Sequence, residues 1–269
     1  MNEPEIVVVE DVGAAAVAAT DRIAAALRAG FETRGRADWA TTGGSGVVGI
    51  YRELATPVHV DDVPWEAVNV WWGDDRFVPR DHPLSNVKPL QDILLDAADR
   101  EEGTALGDGR PQVPLSLENL HPFRTSEAIG AGRSAARCAA DYAAELRATE
   151  LPVVDGWPVF DLILLGVGAD GHLLSVFPGS AALRSPDWAM GIPAPTHIEP
   201  HVERVTLNPA VVEVARRVVM VATGAAKAAV IGEIFGPAVD PTRWPAQLAR
   251  RADATWILDA GAAANLPGR

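Results

Sequence analysis

The segment from Phe160 to Gly166 is an almost continuous apolar run, and it leads directly into Gly168-Ala169-Asp170-Gly171-His172. Strands that face water on one side alternate apolar with polar residues. A run that is apolar at nearly every position suits a parallel strand covered on both faces. It is also far shorter than the roughly 20 residues a helix needs to span a bilayer. This run predicts an open α/β sheet, with glycine and polar groups collected just past the carboxyl end of a buried strand.

The remaining sequence repeats that logic. Ile6-Val7-Val8-Val9 reads as a strand, followed by a helix over Gly13 to Ala29 closed by Gly30. A strand around Trp39 to Thr42 runs into Gly43-Gly44-Ser45-Gly46, and Val47, Ile50, Tyr51 and Leu54 then mark a helix face. Val68 to Trp72 is a third strand, ending in Gly73-Asp74-Asp75-Arg76, with a helix expected within Asn86 to Ala98. Residues 99–125 lack periodicity and read as a surface excursion, Ser126 to Thr149 as one alanine-rich helix, and 185–200 as irregular. Arg204 to Leu207 and Arg217 to Ala222 are expected strands with a short helix between them. Gly224 to Phe235 is expected as a helix, and Trp256 to Leu258 as the closing strand. Repeated β-then-α units predict a doubly wound, mainly parallel sheet with helices on both faces, where ligands bind beyond the strands' carboxyl ends.

With 269 residues and 48% hydrophobic content, the chain can bury its core as one domain over 1–269. The formal charge of −13, from 23 basic and 36 acidic residues, opposes binding to nucleic acid or an anionic membrane. If the substrate is itself an anion, a few basic side chains and backbone N–H groups must reverse that field locally. Cys138 is the only cysteine, so no intrachain disulfide can form. No secretory signal opens the sequence, and a soluble cytoplasmic protein is expected.

Four segments carry candidate chemistry. Gly43, Gly44 and Ser45 precede a helix, where free N–H groups and the helix dipole favour a phosphate, although a tight turn would need the same glycines. Arg76 could pair bidentately with a phosphate or carboxylate, or belong to a local ion network with its acidic neighbours. His82, Ser85 and Asn86 could line the same loop or cap the following helix. In the glycine-lined loop, His172 has the ring type whose ordinary pKa of about 6.5 lets it take a proton from water near neutral pH, with Asp170 to orient it. Lys227 falls in the first turns of a helix, where a cation opposes the dipole and needs an anionic partner. No His-Glu-x-x-His, paired Cys-x-x-Cys or calcium loop is present, so neither a metal nor a cofactor is expected. No Gly-x-Ser-x-Gly motif surrounds Ser45.

In order along the chain, these segments resemble the 6-phosphogluconolactonase family. The resemblance rests on Thr42-Gly43-Gly44-Ser45, on Trp72-Gly73-Asp74-Asp75-Arg76-Phe77-Val78-Pro79 with His82 and Ser85-Asn86, and on Phe160-Asp161-Leu162 through Gly171-His172 to Ser175-Val176-Phe177-Pro178-Gly179. Arg204-Val205-Thr206-Leu207 and Gly224-Ala225-Ala226-Lys227-Ala228 complete it. Gly46-Val47 stands where that family usually shows Thr-Pro, and Asp75 where it usually shows Glu. The related glucosamine-6-phosphate deaminase/isomerase family shares the fold and an Asp-Gly-His segment. It typically continues toward Phe-Asn-Glu-Pro, where this chain has Ser175-Val176-Phe177-Pro178, and has Asp-Glu-Tyr in place of Asp74-Asp75-Arg76.

The resemblance implies a Rossmann-like fold and hydrolysis of 6-phospho-D-glucono-1,5-lactone, a step of the oxidative pentose phosphate pathway. In that reading His172 activates water, loop N–H groups or Arg76 meet the oxyanion, and Gly43, Gly44, Ser45, Arg204 and Lys227 hold the phosphate. The expected partner is the sugar-phosphate lactone, with no nucleic acid and no membrane, for a monomer or weak homodimer. Two other readings stay open at this point, a deaminase/isomerase of an amino sugar phosphate and a sugar-phosphate sensor without turnover.

Overall fold

A computed structural model describes residues 3–95 and 113–268. In chain order the strands are β1 (Glu5–Val9), β2 (Ala37–Thr41), β3 (Val68–Trp72), β4 (Asp74–Arg76), β5 (Leu120–His121) and β6 (Val153–Val154). They continue with β7 (Trp157–Pro158), β8 (Leu162–Gly166), β9 (Ala189–Ile192), β10 (Arg204–Leu207), β11 (Val218–Ala222) and β12 (Ala254–Asp259). The α-helices are α1 (Val12–Arg34), α2 (Ser45–Leu54), α3 (Lys88–Leu90), α4 (Thr125–Gly130), α5 (Ala135–Ala148), α6 (Ala210–Val214) and α7 (Ala228–Ile234).

Seven strands form one parallel sheet in the order β1-β12-β11-β8-β2-β3-β5. Leu162, Ile163, Leu164 and Leu165 of β8 are all buried. Successive side chains on a strand point to opposite faces, so both faces of the sheet are covered there, as the unbroken apolar run requires. The core also takes in Trp39, Trp71, Trp72 and Trp256, each with almost no exposed surface. From β2 the chain winds outward through β3 to β5; from β8 it winds the other way through β11 to β12. The carboxyl ends of β2 and β8 therefore diverge at a switch point, where open α/β sheets leave a crevice.

Five local expectations give way to the structure. Helix α1 does not stop at Gly30 but runs on to a left-handed cap at Gly35 (φ 71°), whose N–H bonds the Phe31 carbonyl. Gly30 is instead a close-packing position, because a Cβ there would lie 2.8 Å from Cγ of Asp161. The alanine-rich stretch 126–149 is two helices, broken where Gly132 adopts φ 65° and Ser134 caps α5 by accepting the Arg137 N–H at 3.3 Å. In the expected helix of Asn86 to Ala98, α3 continues only as a π-helical turn, Gln91–Leu95. Residues 96–98 of that expectation, and 99–112 of the surface excursion, lie outside the described residues, whereas its remainder supplies the edge strand β5.

The fifth difference shapes the site. Asp74–Arg76, read as a polar loop, is strand β4, and the irregular 185–200 contains β9. With β10 they form a separate antiparallel sheet in the order β4-β10-β9. This small sheet branches from the carboxyl end of β3: Gly73 N–H bonds the Thr41 carbonyl at 2.8 Å, and the Gly73 carbonyl accepts Leu207 N–H at 2.7 Å. It carries Arg76 and Arg204 to the switch point. No helix among the described residues is long and apolar enough to cross a membrane.

Candidate active site

A cavity of about 350 Å³ opens at the divergence of β2 and β8, and its lining includes Gly43, Gly44, Arg76, His172, Arg204 and Lys227. A larger groove of about 700 Å³ lies at the opposite end of the sheet. Its arginines are already neutralised, since Arg22 pairs with Glu5, Arg216 with Asp161 and Arg217 with Asp253. The smaller cavity differs on that point, and its cations decide what it can hold.

Arg76 donates to the Leu84 carbonyl at 2.8 Å, and Arg204 to the Pro200 and Val202 carbonyls at 2.9 and 3.2 Å. Lys227 donates to the Val167 carbonyl at 2.8 Å. Among the described residues no carboxylate lies within ion-pair distance of any of the three. Burial, followed by the neighbouring Arg76 charge, lowers the Arg204 pKa against the pull of Asp74 and Asp75. Burial likewise lowers Lys227, with Asp170 acting in the opposite direction. Arg204 is buried and Arg76 and Lys227 partly so, and with no carboxylate in direct ion-pair contact among the described residues they form a site that an anion would stabilise.

The glycine loop completes the basic side of the cavity. Gly44 takes φ 89° as the N-cap of α2 and provides no side-chain cap, so the first N–H groups of α2 are left for a ligand or solvent. Gly43 has a different reason to be glycine, because a Cβ there would overlap Asn86. Asn86 is itself pinned by Asp74, donating to its carbonyl at 2.9 Å and its Oδ1 at 3.1 Å. Ser45 opens α2, and its side chain lies outside the described residues.

Next to Val167, which holds Lys227, the chain folds back after β8 so that Gly168 N–H bonds the His172 carbonyl at 2.9 Å. A Cβ on Gly168 would overlap both the His172 ring and the Asp170 carboxylate, so the turn depends on that glycine. The His172 Nδ1 lies 2.5 Å from Asp170 Oδ1. Burial works to raise the Asp170 pKa, but hydrogen bonds and charge from His172, with a further hydrogen bond from His197, outweigh it and hold the carboxyl well below the usual range. An ionised Asp170 accepts Nδ1–H and leaves Nε2 of His172 as the basic nitrogen.

Two site residues escaped the sequence reading. Asp74 lines the cavity and takes a hydrogen bond from Ser175 Oγ at 2.6 Å, whereas its sequence context marks it only as a neighbour of Arg76. His197 donates to the second oxygen of Asp170 from within a proline-rich stretch that offered no motif. His82 and Ser85 take structural bonds: His82 Nδ1 accepts Leu84 N–H, and Ser85 Oγ donates to Asp75. Burial pushes the Asp75 carboxyl up to about 7 despite hydrogen bonds from Asn86 and Arg76 N–H. Among the described residues no group of three or more His, Cys, Asp or Glu is placed to hold a metal ion.

The family model described as glucosamine-6-phosphate isomerases/6-phosphogluconolactonase matches residues 10–257. The chain belongs to this family. Within it, a 6-phosphogluconolactonase of Synechocystis sp. is 35% identical over 254 residues, 94% of this chain and 92% of that one. A 6-phosphogluconolactonase of Streptomyces coelicolor is 32% identical over 272 residues, 99% of this chain and 96% of its own length. The solved structure of 6-phosphogluconolactonase from Trypanosoma brucei superposes with a TM-score of 0.78 at 26% identity, covering 99% of this chain and 100% of that chain. The parallel sheet with its switch point is thus the family's α/β, Rossmann-like fold.

Proposed function

We propose that this protein hydrolyses 6-phospho-D-glucono-1,5-lactone to 6-phospho-D-gluconate in the oxidative pentose phosphate pathway of the cytoplasm. The observation that carries the reading is the Asp170–His172 pair beside a cavity lined by His172 and by three cations that have no carboxylate within ion-pair distance among the described residues. The names of the similar lactonases support it from a separate direction.

Nε2 of His172 takes a proton from water as the water oxygen bonds to the lactone carbonyl carbon. Asp170 stabilises the resulting imidazolium. Charge that develops on the carbonyl oxygen meets Arg76 or loop N–H groups already in place. Collapse of the tetrahedral species breaks the bond to the ring oxygen, which takes the proton back from His172, and no covalent enzyme intermediate is required. The phosphate is held by Lys227, Arg204, Ser45 and the N–H groups after Gly43 and Gly44, so remote binding aligns the carbonyl.

The decisive assay follows consumption of freshly generated 6-phosphogluconolactone, corrected for spontaneous opening, in wild type and His172→Asn. Loss of kcat on the order of 10²–10⁴-fold with KM nearly unchanged is expected. Retained turnover removes His172 as the base, and ammonia release from glucosamine-6-phosphate would replace the lactonase reading altogether.

A further inference from the structure

The Asp170 carboxylate holds two imidazoles. Its Oδ1 faces His172 Nδ1 at 2.5 Å and also takes the His172 backbone N–H at 3.2 Å, while Oδ2 accepts from His197 Nε2 at 2.8 Å. The ring of Phe177 lies beside both, 4.8 Å from the His172 ring and 5.5 Å from that of His197 at 87°. The second imidazole comes from a different part of the chain, 27 residues beyond Asp170. The stretch that supplies it also supplies Ile198 to the cavity wall, and the Pro200 and Val202 carbonyls that hold Arg204.

We propose that His197 is a positioning residue for the lactone hydrolysis, acting through Asp170. This rests on the reading of His172 as the base. A carboxylate bonded through one oxygen can turn about its last torsion, which is broad rather than confined to narrow wells. Occupying the second oxygen fixes the carboxylate plane, and with it the direction of Nδ1–H and of Nε2 across the His172 ring. His197 exchanges no proton with substrate. Because the next residue lines the cavity and the same stretch grips Arg204, substrate contacts with this stretch and alignment of the base are mechanically joined.

The test compares His197→Phe, which keeps a ring against Phe177 but has no donor, with His197→Gln, which restores an N–H at similar reach. His197→Phe should lower kcat roughly 10-fold with KM for the phosphorylated lactone changed by no more than about twofold, and His197→Gln should recover most of that loss. In a His172→Asn background, His197→Phe should add nothing, because the two act as one unit. Wild-type kcat in His197→Phe while His172→Asn is inactive overturns the positioning role alone. So does a loss that falls on KM, or one that His197→Gln fails to rescue. Turnover retained in His172→Asn, whatever the variants at 197 do, overturns the base reading beneath it.

Discussion

Arg76 and Arg204 stand directly opposite each other across the antiparallel pair β4 and β10, so two guanidinium groups share one register position at the cavity wall. Like charges placed this way destabilise a sheet, and among the described residues no carboxylate lies within ion-pair distance of either. Arg204 is only 5% exposed, so solvent offers little relief. An anion in the cavity supplies the missing charge. Inorganic phosphate or 6-phosphogluconate should therefore raise the melting temperature by several degrees at saturation, about 2.7 kcal/mol at a hundredfold excess over Kd. Arg76→Met should melt higher than wild type, or equal to it, without ligand and gain less from added anion. An anion response equal to that of wild type would show that the pair does not face the ligand.

In the proposed mechanism Lys227 binds the phosphate and takes no part in the chemistry. Its ammonium lines the cavity and donates to the Val167 carbonyl, with no carboxylate within ion-pair distance among the described residues. Lys227→Met should raise KM for 6-phosphogluconolactone on the order of 10–100-fold, the range expected for losing one charged hydrogen bond of roughly 1.5–3 kcal/mol. With an unphosphorylated gluconolactone the same change should cost almost nothing. Equal losses on both substrates would place Lys227 on the sugar or on the carbonyl instead of the phosphate.

Gly168 sets the geometry of the Asp170–His172 pair on which the proposed mechanism depends. Its missing Cβ makes room for the His172 ring and the Asp170 carboxylate to fold back over β8. Gly168→Ala should displace that pair and reduce kcat on the order of 10²-fold, the usual cost of a misplaced group. Kinetics and thermal melting of the same preparation separate this from unfolding. A folded Gly168→Ala with wild-type kcat would mean that the loop reorganises without disturbing the base.

Gly30 shows what a one-dimensional reading confuses. Glycine is poor inside helices and favoured just after them, so its presence after Ala29 reads as a stop. The structure keeps it inside α1 because Asp161, anchored by Arg34, Arg216 and the Asp38 N–H, occupies the space of a side chain. Gly30→Ala therefore sets a gain of about 1 kcal/mol in helix propensity against an overpacking cost of roughly 1–3 kcal/mol, and should destabilise the fold. A variant more stable than wild type in urea denaturation would show that Asp161 moves aside freely.

The same distinction governs which parts of the site could be read in the sequence. β8 and the loop to His172 are contiguous, so their apolar run, glycines and histidine reveal a strand end with its chemistry attached. Lys227 and the Gly43-Gly44 turn are legible for the same reason, each lying just beyond a parallel strand. Of the sheet β4-β10-β9 only β10 is legible as a strand, because β4 and β9 show no alternation long enough to separate them from loops, and the pairing of three segments distant in sequence exists only after folding. His197 is invisible for a related reason, since its one informative contact, with Asp170, exists only after folding.

Asp75 gives the last prediction a sign as well as a direction. Burial holds its carboxyl at about 7 in the folded chain, whereas an unfolded aspartate ionises near 3.8, so folding takes up a proton between those limits. Its contribution to stability is fully present below about pH 4 and is lost as pH rises through about 7. Asp75→Asn cannot ionise, and its Oδ1 can still accept the Arg76 and Asn86 N–H groups, both at 2.7 Å in the wild type. The melting temperature of Asp75→Asn relative to wild type should therefore climb between pH 5 and pH 8, whatever its offset at either end. A constant or falling difference would mean that those two N–H donors and the Ser85 hydroxyl outweigh desolvation, so that the carboxylate is ionised throughout this window.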